Sequence, residues 1–362
     1  MAHAASHFAG SYAEARAKFL AAAEAAGLDV EPHVHPLRGR DGETLAMDVA
    51  LDGARDARRL LIVSSGCHGV EGFCGSGVQH ALLQDEAWRQ AALDAGVAVL
   101  HIHALNPYGF SWIRRVTQEN VDLNRNFCDF ARPLPANPAY DEIAGLLTPA
   151  TWPPPQAMNE RVTQLIAQRG LQALQAATSA GQYDHPEGLF YGGRNPTWSN
   201  QALRHVLQDH GRRCERLAWV DLHTGLGPRG LGEPIFAGRD DPEALARARA
   251  WWGPSVTSVH EGTSSSSMLT GTMAFAAYEE CPQAEFTGIT LEFGTVPILE
   301  VIDALRADQW LELHPEAPPE MRAQIKQRLR EAFHPADEAW QAQVLEQAVE
   351  AAAQAVRGLE RR

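Results

Sequence analysis

Long apolar runs are missing from this chain of 362 residues. No stretch approaches the roughly 20 consecutive apolar residues that cross a bilayer. The opening "MAHAASHFAGSYAEARAKFLAAAEAAG" lacks the apolar block of a secretory leader. Cysteine is scarce as well, with five in all, an odd number, and no CxxC pair. That argues against a disulfide framework or a cysteine-based zinc ribbon, and the expected address is the cytoplasm, with reduced thiols. Positive charge is short too: 31 lysines and arginines stand against 45 aspartates and glutamates, a formal net charge of −14. No basic run supplies the face that counterion release requires, so neither nucleic acid nor an anionic membrane is expected as a partner. Arg212, Arg213 and Arg216 read as a solvated helix end. Internal repeats and the HExxH pattern are also absent.

What is present suits a soluble α/β protein. Hydrophobic residues make up 45% of the chain and charged residues 21%, enough to bury a large core. Residues 11–27 have helical spacing and stop at Gly27. Short β-like runs follow: "VEPHVHPL", "ETLAMDVAL", "RRLLIVSSG", "VAVLHIHAL", "RLAWVDLHTG", "EPIFAG" and "TGITLEFGT". Helix-like pieces at 77–94, 156–179, 197–211 and 241–251 lie between them, which predicts helices on both faces of a parallel or mixed sheet. Strands at 59–65, 97–105, 217–223 and 288–294 are apolar on both faces, as central strands are. The proline-rich segment 131–155 reads as a surface excursion and Ser264–Ser267 as a mobile loop. We read residues 1–362 as one domain, with a catalytic core over about 55–300 and a helical tail over 301–362 that packs on the core or on another subunit of a homo-oligomer.

In open α/β sheets, ligand groups gather at the carboxyl ends of strands. Four polar clusters fall at such ends: His68 and Glu71 in "SSGCHGVEG", the block "NPYGFSWIRRVTQENVDLNRNF", His223 in "DLH", and Glu292 in "LEFGT". His68 and Glu71 alone fit an ordinary tight turn. Taken with His223 they form the two-imidazole, one-carboxylate set that leaves a catalytic zinc an open position, and the glycines at 66, 69 and 72 would let the backbone aim both groups at one point. Glu292 sits among apolar Ile289, Leu291 and Phe293, so it needs either an arginine partner or a task as general base. Arg114, Arg115 and Arg125 offer planar forks for a substrate carboxylate or a tetrahedral oxyanion, or else make structural ion pairs. Asp122 would fix its own loop. His101 and His103 point to one face of a strand and read as core or supporting histidines, and Cys67 and Cys74 as inert packing.

In order, "HGVEG", "NPYG" followed by "RR", "DLNRNF", "DLHTG" and "LEFGT" resemble the zinc carboxypeptidase superfamily, including its aspartoacylase and succinylglutamate desuccinylase branch, over roughly residues 60–295. The resemblance implies a mixed, twisted sheet of about eight strands flanked by helices. It implies one Zn2+ per chain on His68, Glu71 and His223, with Glu292 as general base. Asn124 and Arg125 would grip a free substrate carboxylate. An upstream arginine would polarise the carbonyl, with Arg115 preferred to Arg114, which would otherwise help bind substrate. Hydrolysis of an amide next to a free carboxylate follows, in a peptide or in an N-acyl amino acid; a non-catalytic ligand-binding protein is the third reading. "EGTSSSSMLTG" has no tyrosine where the digestive enzymes carry a mobile one, and "HGVEG" and "DLHTG" look more like the acyl-amino-acid amidohydrolases.

Overall fold

The computed structural model describes residues 4–361. Its centre is an eight-stranded mixed sheet in the order β1-β2-β4-β3-β5-β8-β6-β7. The strands are β1 (Val30–Arg38), β2 (Thr44–Asp52), β3 (Arg59–Ser64), β4 (Ala98–His103), β5 (Arg216–Arg229), β6 (Gly232–Phe236), β7 (Thr257–Ser258) and β8 (Glu285–Gly294). The inner four, β4, β3, β5 and β8, run parallel, while β2 and β6 flank them antiparallel. Every run read as β-like from the sequence contributes a strand. The two-residue β7 was not foreseen.

Alternation along the inner strands feeds two cores. Leu61, Val63, Val99, Val220, Leu222 and Leu291 face one side, under the helices Gly72–Gln84, Pro242–Trp252 and Glu338–Glu360. Leu60, Ile62, Leu100, Trp219 and Phe286 face the other, under Trp198–Gly211 and Phe275–Glu280. Both faces are therefore dry, as their unbroken apolar sequences require. The helical tail is integral to this core. Trp340 and Val344 of its last helix pack among the sheet residues, and Ala348, Ala351, Ala352 and Ala355 let the helix lie close to the strands.

Two loop expectations change. The proline-rich segment holds the short helices Pro138–Asp141 and Ala144–Leu147 and buries Tyr140, Ile143 and Leu147, which anchor it to a core shared with distant helices. In the serine run, the Ser265 backbone N–H donates to Glu233 and its carbonyl accepts from Gln175 (2.9 Å), tying the loop to β6 and to the helix Leu171–Ser179. No helix among the described residues is long and apolar enough to cross a membrane.

Candidate active site

The parallel strands deliver their carboxyl ends to one side of the sheet. After β3 the chain turns at Gly66, whose φ of 68° a side chain would oppose. Gly69 and Gly72 serve differently from the sequence expectation: neither has positive φ, and both make room for a neighbour. A Cβ on Gly69 would lie 2.0 Å from the carbonyl carbon of Gly109, and one on Gly72 would strike the Phe110 ring. The Gly69 and Val70 N–H groups donate to the carbonyls of Arg115 (3.0 Å) and Arg114 (2.8 Å), which locks the "HGVEG" turn to the arginine-bearing loop.

Three side chains from distant segments meet there. His68 Nδ1 is 2.9 Å from Glu71 Oε1, and His223 Nδ1 is 3.1 Å from Glu71 Oε2. The imidazole centroids are 5.0 Å apart, and all three residues are at most 3% exposed. Each ring is backed on its far side by a buried carboxylate: His68 Nε2 lies 3.0 Å from Asp122, and His223 Nε2 lies 2.6 Å from Asp221. When Nε2–H donates to these carboxylates, both Nδ1 lone pairs turn toward Glu71, the arrangement that orients metal-ligating histidines; Arg115 Nη2 also lies 2.9 Å from His68 Nε2. Asp221 is held in turn by the Ser64 hydroxyl (2.6 Å), which accepts from the Trp219 indole (2.7 Å).

The donor set fits a divalent cation. His68 Nδ1 is buried with no hydrogen-bond partner among the described residues although it lies 2.9 Å from Glu71, as a nitrogen reserved for a ligand would be. Around it, the buried carboxylates of Glu71, Asp122, Asp221 and Glu292 face the guanidiniums of Arg115 and Arg125, leaving two negative charges uncompensated when both imidazoles are neutral. The titration behaviour expresses the same excess. Although burial opposes it, Asp221 drives His223 well above its ordinary value. Burial and the charge of Glu71 push Glu292 up to about 8. A dication among His68, Glu71 and His223 would take the place of those protons. Cys67, Asp221 and His223 also converge, with burial pushing the Cys67 thiol up to about 12.

Glu292 stands opposite His223 in the β5/β8 pairing and accepts from the Leu226 N–H at 3.0 Å. Among the described residues it makes no salt bridge, so the arginine partner considered from sequence is not what holds it. The two adjacent arginines part company. Arg115 donates to Glu71 (2.7 Å) and Asp122 (3.2 Å), packs against Phe190, and lines the cavity. Arg114 lies outside the cavity, bound to Asp308, Gln309 and Asn120 at 3.2 Å each, so its expected part in substrate binding has no geometric basis. Arg125 is fixed by the Ser179 carbonyl, reached by Nε (3.0 Å) and Nη2 (2.6 Å), and by the Asn124 carbonyl (2.9 Å), with Asp122 3.8 Å from Nη1, which leaves two of its five N–H groups without a hydrogen bond among the described residues. Asn124 accepts from the Met273 N–H (2.8 Å) beside it.

His68, Glu71, Arg115, Asn124, Arg125, His223 and Glu292 all line one cavity. Its remaining walls are mainly apolar. Trp219, Ile235, Phe286 and Ile289 run into the sheet, while Ile298, Ile302, Leu305 and Phe333 stand on the helical side. Sequence reasoning missed these walls, and it missed Asp221, whose only signal is a carboxylate two residues before a strand histidine, on the same face. His101 and His103 are core residues: His103 bonds Ser76 and stacks on Phe19, and His101 packs near Trp88.

The sequence matches the model of the family described as "Protein of unknown function (DUF2817)" over residues 8–347. No curated protein matches. Among solved structures, thrombin activatable fibrinolysis inhibitor aligns with a TM-score of 0.53 at 13% identity, covering 97% of this chain and 74% of that one. Bovine thrombin-activatable fibrinolysis inhibitor, in complex with tick carboxypeptidase inhibitor, gives 0.51 at 11% identity over 97% of both chains. Carboxypeptidase A from Helicoverpa armigera gives 0.46 at 11%, covering 89% of this chain and 73% of that one. At such identities the likeness concerns the fold alone. The chain belongs to the DUF2817 family, and its fold is that of the zinc carboxypeptidases.

Proposed function

We propose that the protein is a zinc-dependent hydrolase that cleaves an amide bond next to a free carboxylate, in a peptide or an N-acyl amino acid. The observation that carries this reading is the joint placement, in one cavity, of the His68–Glu71–His223 cluster, the unpaired Glu292 and two guanidiniums. His68, Glu71 and His223 would hold the ion, which supplies Lewis-acid polarisation of the carbonyl and a water acidic enough to react near neutral pH. The side chains of the cavity do the rest. Arg125, with Asn124 beside it, receives the substrate carboxylate on its two free N–H groups. Arg115, beside Glu71 in the cavity, would meet the charge that develops on the carbonyl oxygen. Glu292 takes the proton of the attacking water and passes it to the departing nitrogen, a task suited to a desolvated carboxylate.

The test uses zinc-loaded protein and a panel of peptides and N-acyl amino acids, each as the free acid and as the carboxamide. Hydrolysis of the acids with kcat/KM at least a hundredfold above that of the amides supports the reading. Equal rates on both would remove Arg125 as the anchor, and zinc binding without hydrolysis anywhere on the panel would favour a non-catalytic ligand-binding protein.

A further inference from the structure

A second concavity adjoins the cavity and shares Gln175, Ile298 and Ile302 with it. It lies between the helices Gln156–Arg169, Leu171–Ser179 and Ile298–Leu313, with the anchored segment around Ile143 and Leu147 completing its wall. Leu146, Val162, Ile166, Leu171, Leu174 and Leu299 line it and are incompletely buried; Leu171 and Leu299 remain 38% and 46% exposed. So much partly exposed apolar surface in one groove, continuous with a reaction site, marks a place where a ligand removes it from water.

The polar groups of the groove say what kind of ligand. The Thr163 and Thr178 hydroxyls donate to carbonyls of their own helices, at 3.1 and 2.8 Å. The Gln175 amide is bound to Ser265. Asp303 pairs with both Arg306 (3.1 Å) and Arg328 (2.7 Å). Arg306 Nε is a buried donor with no partner among the described residues, and Asn159, Glu300 and Arg328 add only exposed polar side chains that water already serves, so the groove sets out no ladder for a peptide backbone. An alkyl chain needs no such ladder and gains from each methylene it buries. The direction follows from the shared walls. Trp219 and Phe286 precede His223 and Glu292 on their strands, so that part of the cavity runs into the sheet and suits the side chain of the carboxylate-bearing half. The acyl half then faces Ile298 and Ile302, where the groove begins.

We propose that this groove receives a long alkyl chain on the acyl side of the scissile amide, which makes medium- and long-chain N-acyl amino acids the substrate class. This rests on the amide-hydrolase reading above. The experiment measures kcat/KM of the zinc-loaded protein on N-acyl leucines with acyl chains from acetyl to dodecanoyl and on leucine-terminated peptides of increasing length. In parallel, calorimetry measures binding of the N-acyl leucines to Glu292→Gln. Both quantities rise with acyl length, by up to about fourfold per methylene. The substitutions Leu174→Glu and Val162→Glu, two independent charges placed in the groove, each lower the dodecanoyl-to-acetyl ratio at least tenfold in rate and in affinity. A flat acyl profile with acetyl-leucine still hydrolysed overturns the groove assignment and leaves the amide hydrolase standing. A ratio unchanged in both variants overturns it as well, as does kcat/KM that climbs with peptide length and not with acyl length. No turnover and no binding of any compound overturns the reading beneath it.

Discussion

Glu292 and His68 sit in one cavity and are asked to do different things, so their substitutions should fail differently. Glu292→Gln keeps the volume and the Leu226 hydrogen bond but cannot carry a proton. Its kcat should fall about a thousandfold with zinc stoichiometry intact, whereas His68→Ala should lose both; turnover and metal content of each variant check this. The carboxylates behind the imidazoles make a finer test. Asp122→Asn and Asp221→Asn leave the three donors in place but weaken the acceptors that orient them. Each should reduce zinc affinity by about 10- to 100-fold in chelator competition. At this scale the sequence spoke unevenly. His68, Glu71, His223 and Glu292 could be singled out because their motifs, each ordinary alone, fall at strand ends in an order that resembles a known superfamily. Asp221 was silent, since a carboxylate two residues before a histidine matters only once that histidine has a task. Arg114 and Arg115 could not be told apart because they lie in an irregular segment. Ile113 there has φ 51°, and no period governs that turn.

The element that places two of the donors is the turn between β3 and the helix Gly72–Gln84, and its tightness is a packing requirement. Gly69→Ala would drive a methyl into the backbone of Gly109 and Phe110, at 2.0 and 2.2 Å, where no flexible side chain can yield. We expect a loss of at least about 2 kcal/mol in urea unfolding, with reduced zinc affinity because His68 and Glu71 flank the displaced residue. Destabilisation without loss of metal would show that the turn can shift and still hold the donors. The inner strands were readable because burial on both faces removes polar residues and leaves an unmistakable run. β7 was not, since two residues carry no pattern and its pairing with β6 is purely tertiary. Residues 131–155 run over the surface as read, but their anchors were hidden for a related reason: the prolines break any period, while Tyr140, Ile143 and Leu147 find their core against distant helices.

Across the whole molecule, the fold buries histidines that the proposed chemistry does not use, His101 and His103 in β4 and His334 after the helix Pro319–Phe333. Burial pushes His101 and His103 down to about 4 and His334 down to about 3. Their unfolded values lie near 6.5, so the unfolded chain binds more protons between those limits and stability falls as acid is added. The contribution is complete above about pH 6.5 and is lost as pH drops through about 4, at up to about 1.4 kcal/mol per pH unit for each ring. Urea unfolding between pH 7 and 4 should show this slope, and His101→Leu should flatten it, since neither of its ring nitrogens has a partner to lose. The central claim is that segments from residues 68 to 223 assemble around one ion. Its most direct measurement is X-ray absorption on zinc-reconstituted protein, read together with metal content per chain. The account predicts one zinc per chain, coordinated by two imidazole nitrogens and carboxylate oxygen with no sulfur, and no stoichiometric zinc in His223→Ala. Sulfur coordination, or full zinc occupancy in His223→Ala, would contradict it.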